Sequence, residues 1–346
     1  MTRILLTALV AFVILAACTK VDNPTIYYRP DYPKPDSTKI DSTKIDTAIV
    51  PVPLPTSLIP VGQVDAPYLV IMFRNWPQCN YFLEKYRLDG TAKNFYVDGI
   101  YDPEAPYGFP DLSPRGDKMV YVHRDSIIML ELSTMNKTLI TVIQKGLGLL
   151  TLSRDASKIV FSTWGNEWLE DFYYVDAVED ARPIKVKNVS LGDVYVASIS
   201  PDGKKIAYDV NGFVYVSDID GENRIRISEV DGNKSPDFFP IFNREGDKVI
   251  FSSGQYIGSV SDLFIAPIEE NGERNAFRIL NYSEAGINPA YEYVLSGDGQ
   301  SIFVAATTQD GYNIYKVPVA GGSPVSVISG IGNSKWEISG MHFVEQ

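Results

Sequence analysis

Few side chains in this 346-residue sequence have the types and spacing that catalysis requires. There are two histidines, and we interpret both as structural, because His123 ends an expected strand and His342 lies within another. The sequence contains no G-x-S-x-G nucleophile motif, no H-E-x-x-H zinc motif and no EF-hand loop. We therefore predict no catalytic residues, no metal ligands and no cofactor.

Carboxylates in two loop segments are the remaining candidates for chemistry, since such groups bind cations or serve as general acids and bases. They are Asp102, Glu104, Glu167, Glu170 and Asp171. We interpret most of them as solvated loop residues. A carboxylate-based enzyme is accordingly the least favoured of three functional hypotheses.

Aromatic residues between the expected strands form a better candidate binding site. Tryptophan and tyrosine are enriched in binding hot spots, and loops on a rigid scaffold collect binding residues. The six residues of this aromatic rim are Trp76, Tyr107, Trp164, Trp168, Tyr256 and Tyr291. The alternative is that these rings only cover strand edges or pack loops against the core.

The element that must position these residues is a repeat. Its clearest copy is Ser200–Tyr208, S-P-D-G-K-K-I-A-Y, in which a tight turn precedes an apolar strand. Related copies start at residues 113, 153, 243 and 296. Proline at the second position and glycine at the fourth suit the backbone angles of such a turn. The copy at 153 has Ala156 in place of glycine, which predicts a distorted turn or one of another type.

The spacing of the repeat predicts the fold. Copies recur every 40 to 53 residues, which is typical of the four-stranded blades of a β-propeller. The strand after the turn and the strand that follows it each occur six times. The first blade has no preceding strand, and the segment 336–344 is expected to supply it and close the ring. We predict an all-β, six-bladed β-propeller of four-stranded antiparallel blades.

A propeller places its connections on two faces. Connections between the first and second strands of the blades form what we call the tight-turn face. Connections between second and third strands, and between blades, form the opposite, long-loop face. The expected long loops are 74–79, 101–109, 163–168, 253–258 and 282–293. They carry the aromatic rim.

The Ser200–Gly221 copy, S-P-D-G-K-K-I-A-Y followed by V-Y-V-S-D-I-D-G, resembles the propeller repeat of the TolB family. The resemblance covers about residues 64–344. The chain departs from TolB in having a proline-rich segment where TolB has an α/β domain, which places a role in the Tol system in doubt. Two histidines are also too few for the multi-histidine metal site of propeller lyases that share this repeat.

The N-terminus predicts export and lipidation. Arg3 precedes an apolar run that is short for a membrane-spanning helix, and the run ends in Leu15-Ala16-Ala17-Cys18. This ending resembles a bacterial lipobox, so we expect residues 1–17 to be a signal peptide and Cys18 to carry lipid. Cys79, the only other cysteine, is then left without a disulfide partner.

Residues 18–57 predict a disordered tether, because they are rich in proline and hold the tandem copy DSTKI-DSTKI. Residues 58–346 are the expected propeller. Thr19-Lys20-Val21-Asp22 lacks the aspartate directly after the cysteine that retains lipoproteins in the inner membrane. We therefore expect an outer-membrane lipoprotein that faces the periplasm or the cell surface, attached to the membrane through its lipid alone.

Charge narrows the choice of partner. The net charge is −12, and binding to nucleic acid requires a basic surface, so we expect no nucleic-acid partner. The leading hypothesis is a non-catalytic scaffold that binds a cell-envelope protein through its long-loop face. The alternative is a glycan- or peptide-binding module whose aromatic rim stacks on the ligand.

Overall fold

A computed structural model describes residues 67–75, 80–88, 92–93, 110–123, 125–143, 146–164, 169–189, 194–228, 237–254, 262–332 and 336–345. The strands in chain order are β1 (Tyr68–Asn75), β2 (Asn80–Arg87), β3 (Ala92–Lys93), β4 (Asp111–Leu112), β5 (Lys118–His123), β6 (Ser126–Glu131), β7 (Lys137–Val142), β8 (Gly146–Leu152), β9 (Lys158–Trp164), β10 (Leu169–Asp176), β11 (Ile184–Lys185), β12 (Val194–Ile199), β13 (Lys205–Val210), β14 (Phe213–Asp218), β15 (Ile225–Arg226), β16 (Asp237–Phe242), β17 (Lys248–Ser253), β18 (Asp262–Pro267), β19 (Phe277–Asn281), β20 (Pro289–Leu295), β21 (Ser301–Thr307), β22 (Tyr312–Pro318), β23 (Val325–Ile331) and β24 (Trp336–Val344). One 3-10 turn, Gly272–Asn275, precedes β19. Within the described residues, no helix has the length and apolar character needed to cross a bilayer.

The strands form six four-stranded antiparallel sheets, which confirms the predicted six-bladed propeller. Blade 1 has the order β24-β1-β2-β3, and blades 2 to 6 use the remaining strands in groups of four, β4–β7, β8–β11, β12–β15, β16–β19 and β20–β23. The predicted closing strand is β24, which pairs along β1 from Tyr68 opposite Val344 to Asn75 opposite Trp336. Closure through β24 removes the open edge that blade 1 would otherwise present.

The tight turns owe their shape to local hydrogen bonds. In the clearest copy, Gly203 N donates to Ser200 O (2.8 Å) and Ser200 N donates to Lys205 O (2.9 Å). The buried Ser200 hydroxyl donates to Asp202 and accepts from Lys205 N at 2.8 Å. In the other copies the side-chain oxygen of the first turn residue likewise accepts a bond from the backbone N–H five residues later. These residues are Ser113, Ser153, Asn243 and Ser296. A short side chain that bonds its own turn is what this sequence pattern favours.

The prediction of a distorted turn at Ala156 is wrong. Ala156 N donates to Ser153 O at 2.8 Å, and Ser153 N donates to Lys158 O at 2.8 Å, as in the other copies. Ala156 itself takes a left-handed conformation with φ of 56°. The surrounding bonds therefore hold an alanine in the backbone region where the other turns use glycine.

The core lies between blades. Six clusters of buried apolar side chains each join two neighbouring blades, including the pair formed by blades 6 and 1. The second strand of each blade is buried at its centre, as Ile159, Val160 and Phe161 are in blade 3. Since burial of apolar surface contributes about 25 cal/mol per Å², these interfaces dominate the stability of the ring.

Backbone bonds between blades also cover outer strands. Ala181 N of blade 3 donates to Ile140 O of blade 2 at 2.8 Å, and Lys187 N of blade 3 donates to Asp220 O of blade 4 at 2.8 Å. Asn271 N of blade 5 donates to Arg226 O of blade 4 at 2.9 Å. These bonds satisfy edge groups that would otherwise be open to pairing with another chain.

Candidate functional site

The two ends of the channel are defined by the innermost strands, β24, β4, β8, β12, β16 and β20. Each of them runs from the long-loop face to the tight-turn face. At the tight-turn end, Glu345 follows β24 and its N–H donates to Pro114 O at 2.8 Å. Tyr68, the first residue of β1, pairs with Val344 at this same end. The N-terminal segment that precedes Tyr68 therefore joins the propeller on the tight-turn face.

Most of the predicted aromatic rim lies outside the described residues. The rim residues outside the described part of the chain are Trp76, Tyr107, Trp168 and Tyr256. Cys18, the predicted lipidation site, and Cys79 also lie outside it. Trp164 is the last residue of β9, where it pairs with Leu169 and Gly146 at the long-loop end. Tyr291 lies in the innermost strand β20. The backbone thus brings these two positions to the channel side or the long-loop end of their blades.

One expected loop is a strand. The segment 282–293 was predicted to be irregular, but Pro289–Leu295 forms β20. Tyr282 and Tyr293, at the two ends of the segment, are both buried. The Tyr293 hydroxyl donates to Phe239 O of blade 5, so its polar end is satisfied inside the wall of the channel.

The bounds of the strands show which connections on the long-loop face are long. The connections between second and third strands are short in blades 2 and 4, at 124–125 and 211–212, and long only in blade 5, at 254–261. Four of the six blade-to-blade connections are longer than most of these, at 94–110, 186–193, 227–236 and 282–288, whereas 143–145 and 332–335 are short. Most of the surface available for binding at this face therefore comes from connections between blades.

The innermost strands share a bulge that sequence reasoning missed. Register shifts interrupt pairing between the first and second strands of blades 1, 3, 4, 5 and 6. In blade 5 the shift lies between Phe238 and Ile241, and Phe239 within it has a φ of 57°. Bulges redirect backbone groups locally. Here the redirected Phe239 carbonyl is the acceptor for Tyr293.

A buried polar cluster joins blades 4, 5 and 6 around this bulge. Asp209 of β13 is fully buried, and its Oδ1 accepts a bond from Phe239 N at 3.4 Å. Burial raises the pKa of Tyr293 well above its usual value. The Tyr293 hydroxyl, bonded to a carbonyl, and the Asp209 carboxylate, bonded to a backbone N–H, therefore connect blades 4, 5 and 6.

A second polar group joins blades 1, 2 and 3. His342 Nδ1 lies 3.2 Å from Asp111 Oδ1. Asp111 also accepts bonds from Leu112 N (2.8 Å) and from Leu152 N of blade 3 (2.7 Å). His342 was predicted to be structural, and its contact with a carboxylate that bridges two blades fits that interpretation.

The candidate carboxylates do not form a described cation site. Asp171 is paired with Lys185 and accepts a bond from the Tyr173 hydroxyl at 3.3 Å. Asp102, Glu104 and Glu167 lie outside the described residues, and the side chain of Glu170 is not described. In the part of the chain that the structure describes, no three His, Cys, Asp or Glu side chains are placed to hold a metal ion.

An unpredicted charged group lies at the tight-turn mouth of the channel. We call Arg154, Arg244 and Glu345 the channel-mouth cluster. The Glu345 carboxylate pairs with Arg154 of blade 3 and lies 3.8 Å from Arg244 Nη1 of blade 5. Arg154 and Arg244 both occupy the second position of a tight turn, and Glu345 is the residue that directly follows β24 in blade 1. The shared position of the two arginines was the sequence signal for the cluster.

Comparison with known proteins connects this architecture to solved structures. Neither a protein-family model nor a curated protein sequence matches the chain. TolB from Acinetobacter baumannii matches with a TM-score of 0.59 and 18% identity, over 81% of this chain and 67% of that one. A putative TolB from Agrobacterium tumefaciens matches with a TM-score of 0.51 and 14% identity, over 82% of this chain and 100% of that one.

The fold is TolB-like. An oligogalacturonate lyase in complex with manganese also matches, with a TM-score of 0.51 and 13% identity, over 73% of this chain and 70% of that one. One architecture therefore accommodates TolB proteins and a lyase. At these identities the likeness shows a shared fold, and function must be argued from particular residues.

Proposed function

We propose that this TolB-like propeller is a lipid-anchored, extracytoplasmic scaffold that binds a cell-envelope protein through its long-loop face without catalysis. The observation that carries the proposal is the position of Tyr68 at the tight-turn end of β1. A tether attached there, and anchored through Cys18, leaves the opposite long-loop face directed away from the anchor. The predicted location is the outer membrane, with the propeller on the periplasmic or outer side.

The composition of the long-loop face supports a protein partner. Its longer connections mostly link different blades. Of the aromatic rim, Tyr107 lies within such a connection, whereas Trp76, Trp168 and Tyr256 lie within connections between second and third strands. Loops on a rigid ring suit binding because the scaffold fixes their ends. The polar groups described in the channel wall, Asp209, Tyr293 and the His342–Asp111 pair, are engaged in contacts between blades. That engagement favours binding over catalysis.

Site-specific photocrosslinking in cells tests the proposal. A photoreactive residue would replace Trp168 or Tyr256, which are predicted for the long-loop face, with matched replacements at Arg115 on the tight-turn face and at Val325 on the outer strand of blade 6. We expect one protein adduct from the first two positions and none from the controls, with loss of the adduct in Cys18→Ala. Adducts from Arg115 alone, or equally from all four positions, would contradict the assignment.

A glycan or peptide ligand is the second candidate, favoured by the positions of Trp164 at the long-loop end of β9 and Tyr291 in an innermost strand. A ligand that binds only the folded state raises the melting temperature by mass action. A screen of oligosaccharides and peptides would therefore give a shift that Trp164→Ala or Trp168→Ala removes. If no ligand produces a shift while crosslinking succeeds, the protein-scaffold proposal stands alone.

A further inference from the structure

The channel-mouth cluster contains two guanidinium groups for one carboxylate. Side-chain exposure is 32% for Arg154, 42% for Arg244 and 25% for Glu345, so solvent reaches all three. Glu345 Oε2 lies 3.8 Å from Arg244 Nη1, which is longer than a hydrogen bond. A guanidinium has five N–H donors. The single carboxylate of Glu345 therefore cannot use the hydrogen-bonding capacity of both arginines.

The turns around the cluster are built to admit a carboxylate at the channel axis. Glu345 N donates to Pro114 O of blade 2 at 2.8 Å, which fixes its backbone. Its side chain lies against Gly297 of blade 6, where an added Cβ would come within 2.5 Å of Glu345 Cγ and Cδ. Any larger residue at 297 would displace the carboxylate. Residues from four different turns thus surround one negatively charged group.

The tight-turn face has a charge balance unlike that of the whole chain. The five turn segments 113–118, 153–158, 200–205, 243–248 and 296–301 hold eight lysines and arginines against six acidic residues, whereas the chain has a net charge of −12. Electrostatic complementarity steers oppositely charged partners towards such a surface. The two arginines of the channel mouth therefore lie among turns in which basic residues slightly outnumber acidic ones, in a protein that is acidic as a whole.

We propose that Arg154 and Arg244 form a binding site for a carboxylate of an acidic peptide segment, and that Glu345 occupies this site internally. Paired guanidinium groups recognise carboxylates through charge-assisted hydrogen bonds. The carboxylate of Glu345 stands in for the ligand and competes with it. This site lies on the face opposite the long loops, so it is independent of the scaffold surface proposed above.

Binding of a fluorescein-labelled hexaglutamate peptide to the full chain in detergent tests the site, with a hexaglutamine peptide as the uncharged control. Glu345→Gln keeps the backbone bond to Pro114 and removes the competing charge, so we expect binding about tenfold tighter than in the parent protein. Adding Arg154→Gln or Arg244→Gln to this variant should abolish the gain. Binding should also weaken as salt increases.

The matched control is Arg115→Gln, an exposed arginine at the third position of the blade 2 turn on the same face. It should leave the affinity for hexaglutamate unchanged. Thermal melts establish that every variant is folded. Competition with free glutarate shows whether the site prefers the carboxylate of a small dicarboxylate or that of a peptide. If folded Glu345→Gln binds no more tightly than the parent, or if Arg115→Gln weakens binding as much as Arg154→Gln, the proposal is overturned.

Discussion

The tight turns and the wall of the channel are stabilised over different distances in the sequence. In each tight turn the hydrogen bonds join residues at most five positions apart, as between Ser200 and Lys205. In the wall, Tyr293 of blade 6 bonds Phe239 of blade 5, and Asp111 of blade 2 bonds Leu152 of blade 3. Turn geometry is therefore a property of a short segment, whereas wall geometry is a property of the assembled ring.

The largest effect is expected where two blades meet without space for a side chain. Gly221 has a φ of 89°, and an added Cβ would lie 1.8 Å from the backbone oxygen of Lys187 in blade 3. Gly221→Ala should therefore lower the free energy of unfolding by more than about 3 kcal/mol. Gly286 has a φ of 66° but no atom within 4 Å of an added Cβ. Gly286→Ala should cost only about 1 kcal/mol, and equal losses in denaturant melts would contradict the comparison.

The next effect concerns the polar group in the wall. Tyr293→Phe removes the bond to Phe239 O and leaves a carbonyl without its donor, so we expect a loss of about 1–3 kcal/mol in the free energy of unfolding. Tyr315→Phe, in a half-buried tyrosine of the same blade, is the control. A smaller loss at Tyr293 than at Tyr315 would show that the bond between blades does not stabilise the wall.

A smaller effect of opposite sign is expected in the turn of blade 3. Ala156 has a φ of 56°, a region that glycine adopts without steric cost, so Ala156→Gly should stabilise the protein by about 0.5 kcal/mol. The reciprocal Gly203→Ala should destabilise it by about 1 kcal/mol, because an added Cβ there has only an ordinary 3.7 Å contact with Lys158 and the backbone angle is the main cost. Differential scanning calorimetry of the two variants measures both changes. Destabilisation by Ala156→Gly would mean that the turn is held by something other than its backbone angles.

The smallest effect is the pH dependence of the turns. The hydrogen bond from the Ser200 hydroxyl holds the pKa of Asp202 below its usual value. Partial burial raises this pKa, and the backbone N–H and the charge of Lys204 lower it again. A carboxyl with a lowered pKa in the folded state contributes stability above its unfolded pKa and loses it as the pH falls through the folded value. Asp202→Asn should therefore be less stable than the parent near pH 6. The difference should begin to shrink as the pH falls below about 4 and should disappear once the pH is below the lowered pKa of the folded state.

Denaturant melts at a series of pH values provide this measurement. Asp310→Asn, at an exposed aspartate outside the tight turns, is the control and should show no comparable change with pH. A deficit in Asp202→Asn that persists unchanged at low pH would instead assign the effect to the geometry of the turn.

The same difference in range explains what the sequence could predict. The tight turns, the strands that follow them and the closing strand β24 were all predicted, because each depends on a short local pattern that repeats. The left-handed Ala156 was missed because a local rule favours glycine there, while the bonds of the turn impose the conformation anyway. The start of the strand Pro289–Leu295 was predicted as loop because its bulge, between Pro289 and Tyr293, interrupts the alternation that marks a strand.

Functional groups that depend on the ring were harder to predict. The channel-mouth cluster unites residues from blades 1, 3 and 5, and the wall cluster around Phe239 unites blades 4, 5 and 6. Residue spacing in the sequence does not predict such contacts between blades. The shared second position of the turns indicates only that Arg154 and Arg244 both lie near the channel axis. The aromatic rim stays a prediction, since four of its six residues lie outside the described structure.

The pairing of β24 with β1 has a consequence for biosynthesis. The innermost strand of blade 1 is β24, the last strand that the structure describes, so blade 1 cannot be completed until β24 has emerged from the ribosome. Contacts this distant in sequence impose a large entropy of loop closure and slow folding. Until β24 arrives, the edge of β1 and its apolar neighbours stay available to other chains. A propeller of this topology is therefore most exposed to aggregation before β24 has been synthesised, and chaperones that act at that stage would affect its yield most.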